Sequence, residues 1–521
     1  MTIVELPKKK KAGRLVLEFS PVAIVDIGSN SIRLMVYDGL RRAPLPLFNE
    51  KLICGLGRGV AVTGSLNEDA VERALRELRR FRALGRQIGI SKLYAVATAA
   101  VRDADNGPDF VTRAEAALGA KISVLSGRKE ARLTAMGLLA GVPGAEGVVG
   151  DLGGGSLELV RVEGGEIRDG TTLALGPLHL MDVTSRSLDA ARDLIDEALA
   201  KVDFLDNLEE QSFYAVGGAW RNLARIHMAQ NQYPLNVLHH YEMPRDAARS
   251  IANLVSGLSP ETLREIRVVA KERSETMPYG ALVLDRLLAR AQPHNVVISA
   301  FGLREGLLHS KLPKKVRSRD PLLSSCSDFA QLRARSPKHA RELCAWTDQL
   351  FVPEGVEETP QQRRLRHAAC LVSDISWRAH PDYRAERSFS IISQGAFVGA
   401  AHHERVFLAL AVFYRYEGVW SDKAPARISE LIDEDASFRV RVIASALRLA
   451  YLLSGAMPGL LPKIRLQYDD RKKLKLVMPK DAADLAGERI EKRVAELAML
   501  TGRKPEIEIG TGRGPAPAQE Q

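Results

Sequence analysis

The sequence predicts an α/β protein: two similar lobes around a cleft, then an all-helical domain, then a small α+β unit. Two features predict the paired lobes. DIGSNSIRLMV, beginning at Asp26, is nearly repeated by DLGGGSLELV, beginning at Asp151; laid over one another, Gly28 falls on Gly153, Ser31 on Ser156 and Leu34 on Leu159. Around each copy, short apolar runs alternate with segments of helical period, the mark of an α/β layer. A third feature sets off the C-terminal part: from about residue 313 the helical period takes over, and strand-like runs return only after about 455.

Both copies have one grammar. An apolar run (Val22 to Val25; Val148 and Val149) enters an Asp, a Gly/Ser/Asn turn follows, and an alternating run closes the unit (Ile32, Leu34, Val36; Leu157, Leu159). Period two beyond a tight turn predicts strand, turn, strand. A dinucleotide-binding loop places a helix after its glycines, and neither copy does, which excludes that fold. Turns without side chains let backbone N–H groups approach an anion, and serine hydroxyls add donors. The residues expected to form such a cradle are Gly28, Ser29, Asn30 and Ser31 in the first copy and Gly153, Gly154, Gly155 and Ser156 in the second. Facing each other, the two turns would grip a phosphate from both sides.

The first lobe is assigned to 21–140. Asn67 caps a helix whose first turn holds Glu68 and Asp69, whose buried stripe is Val71, Leu75 and Leu78, and whose stop is Gly85. Strands are expected at Leu93 to Ala97 and Ile122 to Leu125, with a helix after Pro108 between them, and Ser126-Gly127 then opens a helix with Leu133, Met136 and Leu139 on its apolar side. The second lobe, 141–312, carries strands at Val148 to Leu152, Leu157 to Val162, Phe213 to Val216 and Val296 to Ser299, and helices after Ser259-Pro260, after Pro278 and from Leu303. The helical domain occupies 313–455. The α+β unit, 456–510, reads as strands Ile464 to Tyr468 and Leu474 to Met478, a helix capped by Asp481 that buries Ile490, Val494 and Leu497 and ends at Gly502, and a strand Glu506 to Ile509. Residues 1–20 and 511–521 have the composition of disordered tails.

At 521 residues, 45% hydrophobic and 26% charged, the chain is of ordinary globular composition and too long for one core. No apolar run reaches the length of a membrane span, and the PKKKKAG start has no hydrophobic region behind it, so a cytoplasmic protein is expected. Cys54, Cys326, Cys344 and Cys370 are scattered, without zinc-ligand spacing, and are expected as buried apolar groups in a reducing compartment. Lys and Arg (74) exceed Asp and Glu (64), with runs such as KLPKKVRSR from Lys311 and DDRKKLK from Asp469. Such a surface attracts polyanions, nucleic acid or inorganic polyphosphate alike. No zinc finger, RNA-recognition signature or aromatic interleaving accompanies the runs, so no specific nucleic-acid binding is expected.

Several polar residues could carry chemistry. Glu130 sits in the first turn of the helix after Ser126, where the helix dipole alone already favours an acid. Glu158 lies between Leu157 and Leu159 and so points to the opposite face, toward solvent or toward the cleft. In the cleft it would join Asp151, and paired carboxylates suit a divalent cation held through oxygen. Arg102 is placed in a loop after the strand ending near Thr98, a surface arginine or a bidentate phosphate ligand. Gly217 and Gly218, at a strand end, would form a further phosphate turn.

Six motifs, DIGSNSIRL, ATAAVRDADN around Arg102, SGRKEARL around Glu130, GDLGGGSLEL, AVGG ending at Gly218 and SAFGLREGLL ending at Leu308, together resemble the exopolyphosphatase and guanosine pentaphosphate phosphatase family of the actin-like ATPase superfamily. They occur in the family's order over about the first three-fifths of the chain. The resemblance implies two actin-like, ribonuclease H-like lobes and a phosphoanhydride hydrolase. It implies Glu130, the acid before the Ala-Arg pair, as catalytic base, and Asp151 and Glu158, with Glu130 beside them, as ligands of Mg²⁺ or orienters of water. Mn²⁺ is a substitute and K⁺ a further ion on the same grounds. Arg102, Gly217 and Gly218 become phosphate ligands. The chain departs from the family where Lys129 replaces a frequent second acid and where Ala219-Trp220 replaces a common hydroxyl residue. The remainder resembles longer members, whose helical domain is distantly related to the HD phosphohydrolases. No His-Asp dipeptide occurs, and His367, Asp374, His380 and Asp382 are scattered, so this domain is expected to hold no metal and to serve as a channel wall and homodimer surface.

The function expected is an exopolyphosphatase that removes terminal phosphate from inorganic polyphosphate. Its rivals are a guanosine pentaphosphate phosphohydrolase, for which guanosine tetra- or pentaphosphate would be substrate or inhibitor, a non-catalytic polyphosphate or alarmone binder, and a kinase or ATPase of the superfamily.

Overall fold

The computed structural model describes residues 20–206 and 208–510. The tails expected at 1–20 and 511–521 lie, but for Ser20, outside the described residues. In the first lobe, β1 (Val22–Ile27) turns into β2 (Ser31–Tyr37) and β3 (Pro46–Ile53) continues the antiparallel meander, while β4 (Lys92–Ala97) and β5 (Ile122–Val124) join in parallel on the other side. The order is β3-β2-β1-β4-β5. The second lobe repeats it. Its strands are β6 (Gly147–Leu152), β7 (Leu157–Glu163), β8 (Glu166–Leu173), β9 (Ser212–Gly217), β10 (Tyr241–Pro244) and β11 (Asn295–Ile298), in the order β8-β7-β6-β9-β11 with β10 added antiparallel at the edge. Equal topology around each copy of the motif fits descent from one doubled unit.

The helices of the first lobe follow their sequence signals with two corrections. Helix α1 (Glu68–Ile88) is capped by Asn67, whose side chain accepts from Ala70 N at 3.2 Å, but it runs through Gly85 and stops at Gly89. Gly89 has φ +74°, a left-handed conformation that glycine adopts without strain, whereas Gly85 keeps helical geometry. Arg102 lies on a short helix, α2 (Ala99–Asp103), and not in a loop: the carbonyl of Thr98 accepts from Val101 and Arg102 and winds the chain up. Further on come α3 (Gly107–Leu118), α4 (Gly127–Gly141), α5 (Gly218–Gln230), α6 (Met277–Ala291) and α7 (Leu303–Ser310).

Helices α4 and α7 hold the lobes together. A Cβ added at Gly306 would lie 1.7 Å from the carbonyl of Leu133, and one at Gly137 would lie 2.0 Å from that of Gly302, so the two backbones touch without side chains between them. On one side Ala131, Ala135 and Leu138 pack on Val149, Val160 and Val216 of the second sheet. On the other, Leu133 with Leu303 and Leu307 covers Val22, Ile24 and Val96 of the first. The stripe expected on α4 is therefore only part of its buried surface; Met136 and Leu139 are merely half-buried, because the helix is shared between two sheets.

Beyond Leu322 a single hydrophobic core continues to Ala498, so the change of pattern near 455 is a change of secondary structure within one packed body. Strands β12 (Arg465–Tyr468), β13 (Lys473–Pro479) and β14 (Lys504–Gly510) form its sheet, and the helix Glu488–Leu500 buries Ile490, Val494 and Leu497 against it. That helix is capped by Gly487, not Asp481: Lys480–Leu485 first wind into a 3₁₀ segment that seats Ala482 in the core. No helix among the described residues is long and apolar enough to cross a membrane.

Candidate active site

The two hairpin turns have one geometry. Gly28 N donates to Ser31 O and Gly153 N donates to Ser156 O, both at 3.0 Å. Their carbonyls are tied back into the lobes: Ser29 O accepts from Gly57 N at 2.7 Å, Asn30 O from Cys54 N and Gly55 N, Gly154 O from Leu178 N at 2.9 Å and Gly155 O from Gly176 N. The N–H groups of Ser29, Asn30, Gly154 and Gly155 have no backbone acceptor among the described residues, which is how a backbone cradle is made ready for an anion. The turns also face each other. A Cβ on Gly154 would come within 3.2 Å of Ser29 Cβ, and one on Gly155 within 3.1 Å of Ser29 Oγ, so the second copy has glycines where the first passes closest.

Around this contact lies a cavity of about 170 Å³. Gly28, Ser29, Asn30, Ser31, Gly153, Gly154, Gly155, Ser156, Gly217 and Gly218 all line it, with Glu130, Asp151 and Glu158. Arg102 does not line it. Its Nη1 lies 3.4 Å from Glu130 Oε2, while Nε and Nη2 hold Asp103 at 2.8 and 3.2 Å.

Each carboxylate is set by its element. Ser126 caps α4 and places Glu130 in the first turn; one turn on, the Thr134 hydroxyl donates to Asp151 Oδ2 at 2.8 Å. Asp151 stands opposite Glu158 in the β6–β7 register. Glu158 is 1% exposed and turned to the cavity while Leu157 and Leu159 fill the core behind, which decides between the solvent and the cleft. Burial, then the charge of Asp151, pushes the Glu130 carboxyl up to about 8, with Arg102 opposing. Glu158 is raised by burial and by Glu130 and Asp151, and Asp151 is raised by burial against the pull of Thr134 and nearby arginines. Glu130 and Glu158 therefore titrate as a pair, both raised above the ordinary carboxylate range.

A divalent cation suits these donors. Glu158 Oε1 and Asn30 Oδ1 are buried acceptors with no hydrogen-bond partner, and both belong to residues of the cavity wall. Among the described residues no three His, Cys, Asp or Glu groups form a complete metal cage. Mg²⁺ is ordinarily held by one or two carboxylates together with substrate phosphates and water, and Asp151 and Glu158 meet that need.

Basic side chains also gather at the cleft, with Arg221, Arg273 and Arg304 on the cavity wall itself, and this the motifs alone did not reveal. Arg33 on β2 occupies the place in the first copy that Glu158 holds in the second, opposite Asp26 as Glu158 is opposite Asp151. Lys51 on β3 pairs with Arg33, and Arg304 Nη1 binds Asp26 Oδ2 at 2.8 Å. Arg221 stands in the first turn of α5, and Arg273 lies over its amino end, where a Cβ on Gly218 would come within 2.2 Å of the guanidinium. Burial and mutual repulsion push Lys51 down to about 7 and Arg33 and Arg221 to about 10. Arg33, Arg221 and Arg304 each sat in or beside a motif and could have been found there; Lys51 and Arg273 carried no local signal.

In the helical region the scattered acids and histidines do not converge. Asp374 takes a bidentate pair of bonds from Arg335 at 2.8 Å, His367 Nε2 lies 2.8 Å from Asp348 Oδ1, and His380 and Asp382 sit exposed on a 3₁₀ turn.

The family model described as the Ppx/GppA phosphatase family matches residues 35–315, more than half of the chain. The chain belongs to the Ppx/GppA phosphatase family. A second model, described as exopolyphosphatase, C-terminal, matches residues 322–507. Exopolyphosphatase 1 of Mycobacterium tuberculosis is 26% identical over 325 residues, covering 60% of this chain and 94% of its own length. The crystal structure of an exopolyphosphatase from Cytophaga hutchinsonii, 20% identical, superposes with a TM-score of 0.51 over 56% of this chain and 97% of that one. An exopolyphosphatase-like protein, 26% identical, superposes at 0.50 over 56% of this chain and 96% of its own. The paired lobes of this Ppx/GppA member thus have the actin-like fold.

Proposed function

We propose that the cleft hydrolyses the terminal phosphoanhydride bond of inorganic polyphosphate, with Glu130 as the base that activates water. The observation that carries this is the make-up of the cleft: carboxylates and turn N–H groups share the cavity wall with Arg221, Arg273 and Arg304, and Arg33 and Lys51 stand near enough to those arginines to be repelled by them. The turns hold the terminal phosphoryl group by its oxygens, and the basic side chains hold the tail that leaves. Glu130, once ionised, takes a proton from water as the water oxygen bonds to phosphorus; the bridging P–O bond breaks, and its electrons stay on the departing tail among the arginines. Mg²⁺, held by Asp151 and Glu158, would supply charge neutralisation at the phosphoryl oxygens.

Five cations gathered at one cleft fit a polyanion better than a compact nucleotide, whose base would need an apolar or stacking wall. Phosphate release from long-chain polyphosphate and from guanosine pentaphosphate, compared at equal protein concentration, tests the reading. Faster turnover of polyphosphate is expected; turnover of the nucleotide alone refutes it.

A further inference from the structure

Beside the catalytic cavity lies a second basin, of about 610 Å³, whose wall includes Arg102, Arg128, Arg132 and Arg168. A hollow of about 450 Å³ shares Ser29, Ala99, Gly155 and Ser156 with the catalytic cavity and shares Arg102 and Thr172 with the basin. The hollow thus lies between the facing turns and the basin, with Arg102 and Thr172 on the wall it has in common with the basin.

The electrostatics of the basin wall run against helix stability. Arg128, Lys129 and Arg132 crowd the start of α4, whose amino end is already positive and where acids are the ordinary choice. Arg128 and Arg132 stand one turn apart on the same face and repel each other. Neither has an ion-pair partner among the described residues, whereas Arg168 is held by Glu166 at 2.9 Å. Such crowding is relieved when an anion enters.

We propose that the basin receives orthophosphate as it leaves the catalytic cavity, so that product departs without crossing the bound tail. The idea rests on the hydrolytic reading above. In an in-line displacement the water attacks opposite the leaving oxygen, so the phosphoryl group, on inverting, moves away from the tail and toward the side of Glu130 and Arg102.

The test uses the full chain with R128S/R132S together and, separately, R168S, all exposed side chains; melting curves confirm folding. Orthophosphate is titrated onto the protein by calorimetry, and its inhibition of polyphosphate hydrolysis is measured. The expected result is a dissociation constant and an inhibition constant for orthophosphate that rise about five-fold or more in the double variant, while KM for long polyphosphate moves less than about two-fold. Unchanged orthophosphate binding overturns the proposal, and so does a KM that rises in step with the inhibition constant, which would put the substrate tail in the basin. Because the titration needs no turnover, failure of polyphosphate hydrolysis in the wild-type protein would refute the hydrolytic reading and leave the result for the basin standing on its own.

Discussion

Replacing Glu130 by Gln should abolish turnover and, in EDTA without substrate, should also make the protein more stable at alkaline pH. The Glu130 carboxyl titrates near 8 in the folded chain against an ordinary value of 4.5. A group raised in this way binds its proton more tightly when folded, so its contribution to stability is complete below about 4.5 and is lost as pH rises through about 8. At about 1.4 kcal/mol per pH unit, that interval sets a ceiling of about 5 kcal/mol on the cost of the charge at pH 9. A site that relaxes or admits water keeps about half of it, roughly 2 kcal/mol. Gln matches the neutral acid in shape and never ionises. At pH 5 the two proteins should melt together, and at pH 9 the variant should melt about 4–8 °C higher in the transition that unfolds the lobes. Scanning calorimetry at the two pH values reads this directly. An equal difference at both, or a less stable variant at pH 9, would refute the placement of Glu130 in a dry cluster of acids.

Other measurements test the same geometry. The rate kcat/KM should climb about ten-fold per pH unit below about 8, because the base must be ionised, and Arg102→Ala should displace that rise upward by about one pH unit by removing the nearest cation; an undisplaced profile would deny the contact. Binding of Mg²⁺ should release protons, since the raised Glu158 carboxyl must ionise to serve as a ligand, and calorimetry in buffers of different ionisation enthalpy would show it; no release at any pH would remove Glu158 from the site. Gly306→Ala has no room beside the Leu133 carbonyl and should cost about 3 kcal/mol or more, read as an early melting of the lobes, whereas Gly487→Ala, with open space around it, should cost less than about 1 kcal/mol. Lys51→Met should raise KM for long polyphosphate about ten-fold with kcat little changed, and a fall in kcat alone would place Lys51 at the reacting phosphate instead.

Much of the fold was readable because it was written in short-range signals. The strands flanking both turns announce themselves by buried apolar runs, and the caps at Asn67, Ser126 and Ser259 each accept the backbone bond that their position predicts. Strands β3, β8 and β10 went unseen for a physical reason. PLFNEKLI and EIRDGTTL are edge strands without a fully buried residue on either face, so they carry no alternation, and only pairing with a neighbour makes them strands.

By itself the sequence determined the repeated turn and the acids beside it, since glycine, serine and carboxylate spacing is a local property of the chain. Only the tertiary structure decided that Glu158 faces the cleft, that Arg102 stands outside the cavity, and that Arg33 and Lys51 come close to the cavity-wall arginines Arg221 and Arg273. Those facts depend on which face of a strand or helix is turned inward when two lobes close on each other, and that is set by contacts between residues far apart in the chain.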